Sequence, residues 1–150
     1  MSSLSETQLV ISLLWRQWKQ LRKIHLRSEL IFVSSFVLVH RTGTVTCNKH
    51  QHSYWGFAPD VKSLAVIVTV LADQQEKTLP PATTNVNSGG WYGLEGYSSS
   101  SSILVFCVSK EPNCIFANSE LRLWYGQDLR GHTESDNGGK TCADVHGLLA

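Results

Sequence analysis

The stretch "SELRLWYGQDL", residues 119–129, alternates apolar and polar side chains and then reaches a glycine. Successive side chains of an extended chain point to opposite faces. Leu121, Leu123 and Tyr125 therefore share one face, and Gly126 with the polar residues after it is typical of a turn. The stretch predicts a half-buried strand that ends at Gly126.

Other segments also have the composition of strands. Apolar runs rich in β-branched residues are too short to be membrane spans, and Gly43 separates two of them in a pattern that predicts a hairpin. We predict a small, mostly antiparallel sheet within residues 30–71 and 103–125. Its strands would cover residues 30–39, 42–46, 64–71, 103–108, 114–116 and 120–125.

Residues 8–28 predict a basic amphipathic helix, because apolar and basic residues recur at spacings of three and four. Ser5, with Gln8 three positions on, resembles a capping box, so the predicted helix covers residues 5–28. The apolar face would hold Ile11, Leu14, Trp15, Trp18 and Leu21, and the basic face Arg16, Lys19, Arg22 and Lys23.

This helix has more than one interpretation. It packs its apolar face on the core, or it binds an anionic membrane surface or the groove of a partner protein through residues 8–28. The structural role is the commoner one for helices of this kind.

The middle of the chain, residues 80–102, is rich in Ser, Gly, Thr and Pro and poor in apolar residues. Such a composition lacks the apolar surface that offsets the entropy of ordering, so we predict a disordered, linker-like segment. The predicted fold class is therefore α+β. A single, loosely organised domain over residues 1–150 would hold the helix and the sheet.

Charge excludes one class of function. The chain of 150 residues has a formal net charge of +1, whereas nucleic-acid-binding domains are usually strongly basic. Residues 1–50 hold seven Lys or Arg against two acidic residues, and residues 51–150 hold six against ten. We expect a protein partner rather than nucleic acid, and the sequence does not determine the oligomeric state.

The four cysteines are predicted to be thiols. No secretory signal is apparent near residue 1 and the sequence contains no N-x-Ser/Thr sequon. We therefore predict an intracellular protein, nuclear or cytoplasmic and not secreted, because disulfides are rare in reducing compartments.

One group of residues has the chemistry of metal ligands. Cys47, His50 and His52 form C-x-x-H-x-H, and zinc prefers thiolate and imidazole ligands. The alternative is a surface histidine pair beside an ordinary cysteine. No nucleophile motif G-x-S-x-G and no phosphate-binding loop occurs.

Glu120, Leu121, Arg122, Leu123, Trp124, Tyr125 and Gly126 follow in an order that resembles the E-L-L-V-W-Y-G pattern in the closing strand of PR/SET domains. The resemblance covers residues 103–130. It implies a chromatin or transcription regulator in the nucleus, with Tyr125 at a pocket where lysine is methylated by S-adenosylmethionine. The residues that would hold this cofactor are not found upstream.

The resulting prediction is a non-enzymatic protein-interaction module, a truncated PR-domain-like fragment without a required cofactor. The alternatives are a fragment of a protein-lysine methyltransferase with Tyr125 as the catalytic residue, a membrane-surface or partner-helix binder, or an isoform without a stable fold. Zinc and S-adenosylmethionine are the cofactors that the alternatives would use.

Overall fold

The computed structural model describes residues 9–14, 22–23, 30–48, 50–56, 66–79, 86–107, 113–116, 120–131 and 134–149. Within these ranges the chain forms ten strands, one short α-helix and one turn of 3-10 helix. The strands are β1 (Leu9–Leu14), β2 (Arg22–Lys23), β3 (Leu30–Thr46), β4 (Val66–Ile67), β5 (Thr69–Ala72), β6 (Tyr92–Gly93), β7 (Ile103–Cys107), β8 (Asn113–Phe116), β9 (Glu120–Tyr125) and β10 (Gly138–Leu149). The helix α1 is Gly126–Arg130 and the 3-10 turn is Glu134–Asp136.

The larger sheet has five strands built around β3 and β10. β10 lies between β1 and β3, and the other edge of β3 pairs first with β7 and then with β8. All of these ladders are antiparallel. The β3–β10 ladder runs from Thr46 opposite Gly138 to Val33 opposite Leu149. The first and last described strands of the chain are therefore neighbours in one sheet.

The smaller sheet has three strands in the order β2, β9, β5, so the alternating stretch that ends at Tyr125 forms its central strand. A separate two-stranded ladder joins β4 to β6. Between β4 and β5, the backbone N–H groups of Val68 and Thr69 both donate to the carbonyl of Trp55, at 3.2 and 3.0 Å. Trp55 thereby fixes the point where the chain passes from β4 to β5.

One apolar core contains side chains from both sheets. The larger sheet contributes side chains from one face, whereas β5 is buried on both faces. Burial shared between two sheets is the packing of a β-sandwich. The larger sheet contributes Val33, Phe36, Leu38, Leu104, Phe106, Ala143 and Val145, and the remaining strands contribute Ile67, Val70, Leu71, Tyr92, Leu121 and Leu123, with Trp55 between them.

The predicted α+β class and its N-terminal helix are wrong. Residues 9–14 form β1 and pair with β10, and residues 22–23 form β2 and pair with β9. The rest of the predicted helix, residues 5–8, 15–21 and 24–28, lies outside the described residues. A continuous apolar run satisfies a helical spacing as readily as a strand pattern, and pairing with a distant strand overrides local propensity.

The hairpin predicted around Gly43 is also wrong, because residues 30–46 form the single strand β3. β10 pairs along this strand on both sides of Gly43, which lies opposite Thr141. Near Gly43 the register shifts only between Cys142 and Ala143, where Arg41 of β3 is skipped, two residues from Gly43. Gly43 therefore lies within a strand and does not reverse the chain.

The prediction that residues 80–102 are disordered is wrong for residues 86–102. Residues 80–85 lie outside the described part. Tyr92 is buried and its hydroxyl donates to the carbonyl of Thr69 at 2.6 Å. The serine run is ordered by Trp55, whose backbone N–H and indole Nε1 donate to Ser99 and Ser101 carbonyls at 3.0 and 2.6 Å. Hydrogen bonds from a distant residue order a segment that its own composition does not.

Candidate functional site

Tyr125, the last residue of β9, forms the base of the candidate site. Its side chain is only 2% exposed. The ring lies against the backbone of Gly56, where an added Cβ would come within 2.4 Å of a ring carbon. Val45, Cys47 and Val68 form the buried cluster around it. Tyr125 is therefore part of the wall of the core and does not line an open pocket.

Three polar side chains lie where α1 meets the 3-10 turn, and we call them the Asp128 cluster. Asp128 comes from α1, Asp136 ends the 3-10 turn, and Asn137 follows it. The side-chain amide of Asn137 donates to Oδ1 of Asp128 at 2.7 Å. This bond ties the helix to the segment that leads into β10.

The surroundings of Tyr125 raise the pKa of its phenol well above the usual value. Burial is the largest cause, followed by the charge interaction and the side-chain hydrogen bond with Cys47. The negative charges of Asp128 and Asp136 raise the pKa further.

Two oxygens of the Asp128 cluster are buried acceptors. Within the described part of the chain, Oδ1 of Asp136 and Oδ1 of Asn137 have no hydrogen-bond partner, although both residues are only half-buried. An acceptor removed from water without a donor costs about 1–3 kcal/mol. Both oxygens are shielded from solvent, so a ligand would first contact the exposed atoms of these half-buried residues.

A half-buried tryptophan, Trp91, also lies near Tyr125. Its turn is held by Asn87, whose Oδ1 accepts hydrogen bonds from two backbone N–H groups, including that of Trp91 at 3.3 Å. The turn touches the start of α1, since an added Cβ on Gly90 would lie 2.1 Å from the carbonyl oxygen of Gly126. The indole packs against the buried cluster that contains Tyr125. An aromatic surface is thus held beside the helix that carries Asp128.

The structure separates the residues of the predicted metal site. Cys47 is fully buried against Tyr125, whereas His50 and His52 are exposed. His52 Nδ1 lies 3.3 Å from the Thr44 hydroxyl. Across the ranges that the structure describes, no three His, Cys, Asp or Glu side chains form a group that could hold a metal ion.

The sequence pattern singled out Tyr125 and Cys47 for unrelated reasons, and the structure brings these two together. The sequence patterns did not single out Asp128, Asp136 or Trp91. Polar residues after a strand-ending glycine are typical of solvated turns. One of these polar stretches follows β9 and the other precedes β10, so their meeting could be inferred only with knowledge of the fold.

We predict that the stability of the protein falls steeply above pH 10. Burial raises the pKa of both Tyr92 and Tyr125, so the folded state keeps protons that the unfolded state releases near pH 10. Their contribution is fully present below pH 10 and is lost as the pH rises above it. The free energy of unfolding should fall by about 1.4 kcal/mol per pH unit for each tyrosine.

Urea denaturation at pH 9, 10 and 11 measures this slope. Tyr125→Phe should remove about half of the additional slope above pH 10, because one buried phenol remains. A wild-type stability that is unchanged between pH 9 and pH 11 would contradict the prediction.

One solved structure with high similarity is AJLec from the sea anemone Anthopleura japonica, a lectin-like protein. The two chains are 28% identical, with a TM-score of 0.74 over 96% of this chain and 93% of that chain. No protein-family model and no curated protein sequence matches this chain. The similarity extends over nearly the whole of both chains.

This likeness corrects the predicted PR/SET resemblance and the chromatin and transcription role that came with it. The seven residues from Glu120 to Gly126 form β9 and the first residue of α1, at the centre of the smaller sheet. An alternating strand that ends at glycine occurs in many folds, so the pattern was not specific. The methyltransferase role assigned to Tyr125 loses its basis.

The predicted intracellular location, nuclear or cytoplasmic and not secreted, is wrong on the same finding. Similarity to a lectin-like protein over 96% of the chain favours a secreted protein. The prediction relied on the absence of recognisable signals, which is a weaker observation than similarity along the chain.

Proposed function

We propose that this chain is a secreted carbohydrate-binding domain that acts by binding and not by catalysis. The observation that carries the proposal is the similarity to the lectin-like AJLec, at 28% identity over 96% of this chain. The β-sandwich supplies a rigid frame in which loops at the ends of strands can hold ligand-binding side chains.

We assign sugar binding to the Asp128 cluster together with Trp91. A sugar presents hydroxyl groups that donate and accept hydrogen bonds, and C–H faces that pack on aromatic rings. Asp136 and Asn137 are half-buried, and carboxylate and amide side chains suit the hydroxyl groups. The indole of Trp91 suits a C–H face, since a binding site combines apolar surface with a few placed polar groups.

Tyr125 has a supporting role in this proposal. Its side chain is 2% exposed and contacts Cys47, so a ligand would reach Asp136 and Asn137 before the phenol. The tyrosine fills the space beneath the cluster and keeps β9 and α1 in position. We expect Tyr125→Phe to change stability more than sugar affinity.

Retention on sugar-coated beads tests the proposal. The probes are beads that carry galactose, mannose, N-acetylglucosamine or sialic acid, each eluted with the same free sugar. We expect the wild-type chain to bind at least one of them. Asp136→Asn should weaken binding about tenfold or more, because hydrogen bonds to a charged acceptor contribute about 1.5–3 kcal/mol.

The matched control is Glu95→Gln, which neutralises an exposed carboxylate in a different turn and should leave binding unchanged. Trp91→Ala should also reduce retention, and its melting temperature shows whether the fold is kept. Failure of the folded wild-type chain to bind any of the sugars would argue against the function. Binding that is unaffected by Asp136→Asn and Trp91→Ala would place the site elsewhere on the chain.

A further inference from the structure

Four hydrogen bonds hold the backbone of the turn that carries Trp91. The N–H of Gly90 donates to the carbonyl of Asn87, and the N–H of Asn87 donates to the carbonyl of Trp91, both at 3.0 Å. The N–H groups of Gly89 and Trp91 both donate to Oδ1 of Asn87, at 2.9 and 3.3 Å. The backbone of Trp91 is therefore held at both its N–H and its C=O, and the side-chain torsions determine where the indole lies.

The indole of Trp91 occupies the space where a side chain of residue 89 would begin. An added Cβ at Gly89 would come within 1.9 Å of Cζ3, 2.3 Å of Cη2 and 2.7 Å of Cε3, which all belong to the six-membered ring of the indole. Gly89 itself is buried, whereas Trp91 is half-buried. The ring thus lies against the bare Cα of Gly89, and we call this Cα the indole seat.

Gly89 and Gly90 are glycines for different physical reasons. Gly90 has a φ of +90°, and an added Cβ there would overlap the backbone of Gly126, so a substitution strains the chain itself. Gly89 is not among the glycines with positive φ, and the three atoms nearest to its added Cβ belong to a side chain. We therefore expect an alanine at residue 89 to keep the backbone in place and to force the Trp91 indole into another rotamer.

We propose that Gly89 is a positioning residue of the proposed sugar-binding site. The indole seat determines the orientation of the Trp91 ring, and this orientation sets the affinity of the site for the C–H face of a sugar. A ring that is held in advance loses less conformational freedom when a ligand binds, which raises affinity. Gly89 is buried, so it acts through Trp91 and not by contact with the ligand. The effect on affinity rests on the proposed function, whereas the position of the indole does not.

Fluorine NMR of the full chain labelled with 5-fluorotryptophan tests the indole seat without any sugar. The chain has five tryptophans, and the resonance that is missing from Trp91→Phe is that of Trp91. We expect Gly89→Ala to shift this resonance by more than its linewidth. Gly93→Ala is the control, because an added Cβ there meets no atom within 4 Å, and it should leave the resonance at its wild-type position. A Trp91 resonance that Gly89→Ala does not move would overturn the proposal.

Thermal melts of a double variant show whether the indole is what requires a glycine at residue 89. In a Trp91→Ala background, Gly89→Ala should not lower the melting temperature further, because the ring that overlaps the new Cβ is gone. An equal loss with and without the indole would mean that other contacts require the glycine, and this would overturn the proposal. The double variant decides even if Gly89→Ala alone does not fold.

Retention on beads that carry the sugar bound by the wild type tests the effect on affinity. Gly89→Ala should weaken binding about two- to tenfold, as expected for the loss of one aromatic contact, and Gly93→Ala should bind like wild type. A shifted Trp91 resonance with unchanged retention would overturn the role of Gly89 in binding. A folded wild type that is retained on no sugar would contradict the proposed function and the effect on affinity together, while the fluorine spectrum would still decide where the indole lies.

Discussion

Gly126→Ala is expected to lower the free energy of unfolding by about 4 kcal/mol or more, a loss found only where a substitution breaks a specific structural requirement. An added Cβ would lie 1.8 Å from the carbonyl oxygen of Gly90 and 2.8 Å from that of Val68. Both are backbone atoms, so no side-chain rotation relieves the overlap. Either the turn that contains Gly90 and Trp91 or the chain at β5 and β9 would have to move. The total stability of a domain is only about 5–15 kcal/mol, so this loss is a large part of it.

The matched control is Gly93→Ala, because an added Cβ at Gly93 meets no atom within 4 Å. That substitution should change stability by about 1 kcal/mol or less. Thermal melts of the two variants separate the crowding at residue 126 from the general effect of replacing glycine with alanine. We expect Gly126→Ala to melt roughly 10 °C or more below wild type. Equal melting temperatures would contradict the close backbone crossing.

The sequence predicted a strand correctly where the burial of that strand alone determines the order of its apolar and polar residues. The alternation from residue 120 to 125 coincides with β9, because one face of that strand is buried at Leu121, Leu123 and Tyr125. The apolar runs near residues 64–71 and 103–108 also fall on strands. In these segments the buried side chains are either consecutive or alternate with exposed ones. The local sequence therefore suffices to identify the strand.

The N-terminal segment was not predictable in this way. Residues 9–14 are a strand because β10, more than a hundred residues later in the chain, offers a partner edge. β10 itself has glycines, a lysine and an aspartate, a composition from which no strand was predicted. Its central position depends on pairing with both β1 and β3. The pairing of two distant segments cannot be predicted from the sequence of either segment alone.

The candidate site was only partly predictable for the same reason. Tyr125 was noticed through a family resemblance that proved wrong, and Cys47 through a metal-ligand spacing. The residues that now define the site, Asp128, Asp136 and Asn137, resemble ordinary turn residues in the sequence. Their importance comes from the meeting of α1 with the 3-10 turn and from two buried oxygen acceptors.

Trp55→Ala should destabilise the protein by about 3–5 kcal/mol, the usual range for truncating a large aromatic side chain in a core. Trp55 is fully buried, and its indole Nε1 donates to the carbonyl of Ser101 at 2.6 Å. Its ring also meets the edge of His40, with ring centroids 6.0 Å apart. The substitution leaves a cavity and removes the side-chain hydrogen bond that orders the serine run.

Limited chymotrypsin digestion measures the loss of order in the serine run, Ser98 to Ser102, because Tyr97 directly precedes it. We expect Trp55→Ala to be cleaved after Tyr97 much faster than wild type at a temperature where both remain folded. Trp55→Phe keeps part of the ring but lacks the indole N–H, so its cleavage rate should fall between the two. If the folded alanine variant is cleaved as slowly as wild type, then the serine run does not depend on Trp55, and another set of contacts must order residues whose composition favours disorder.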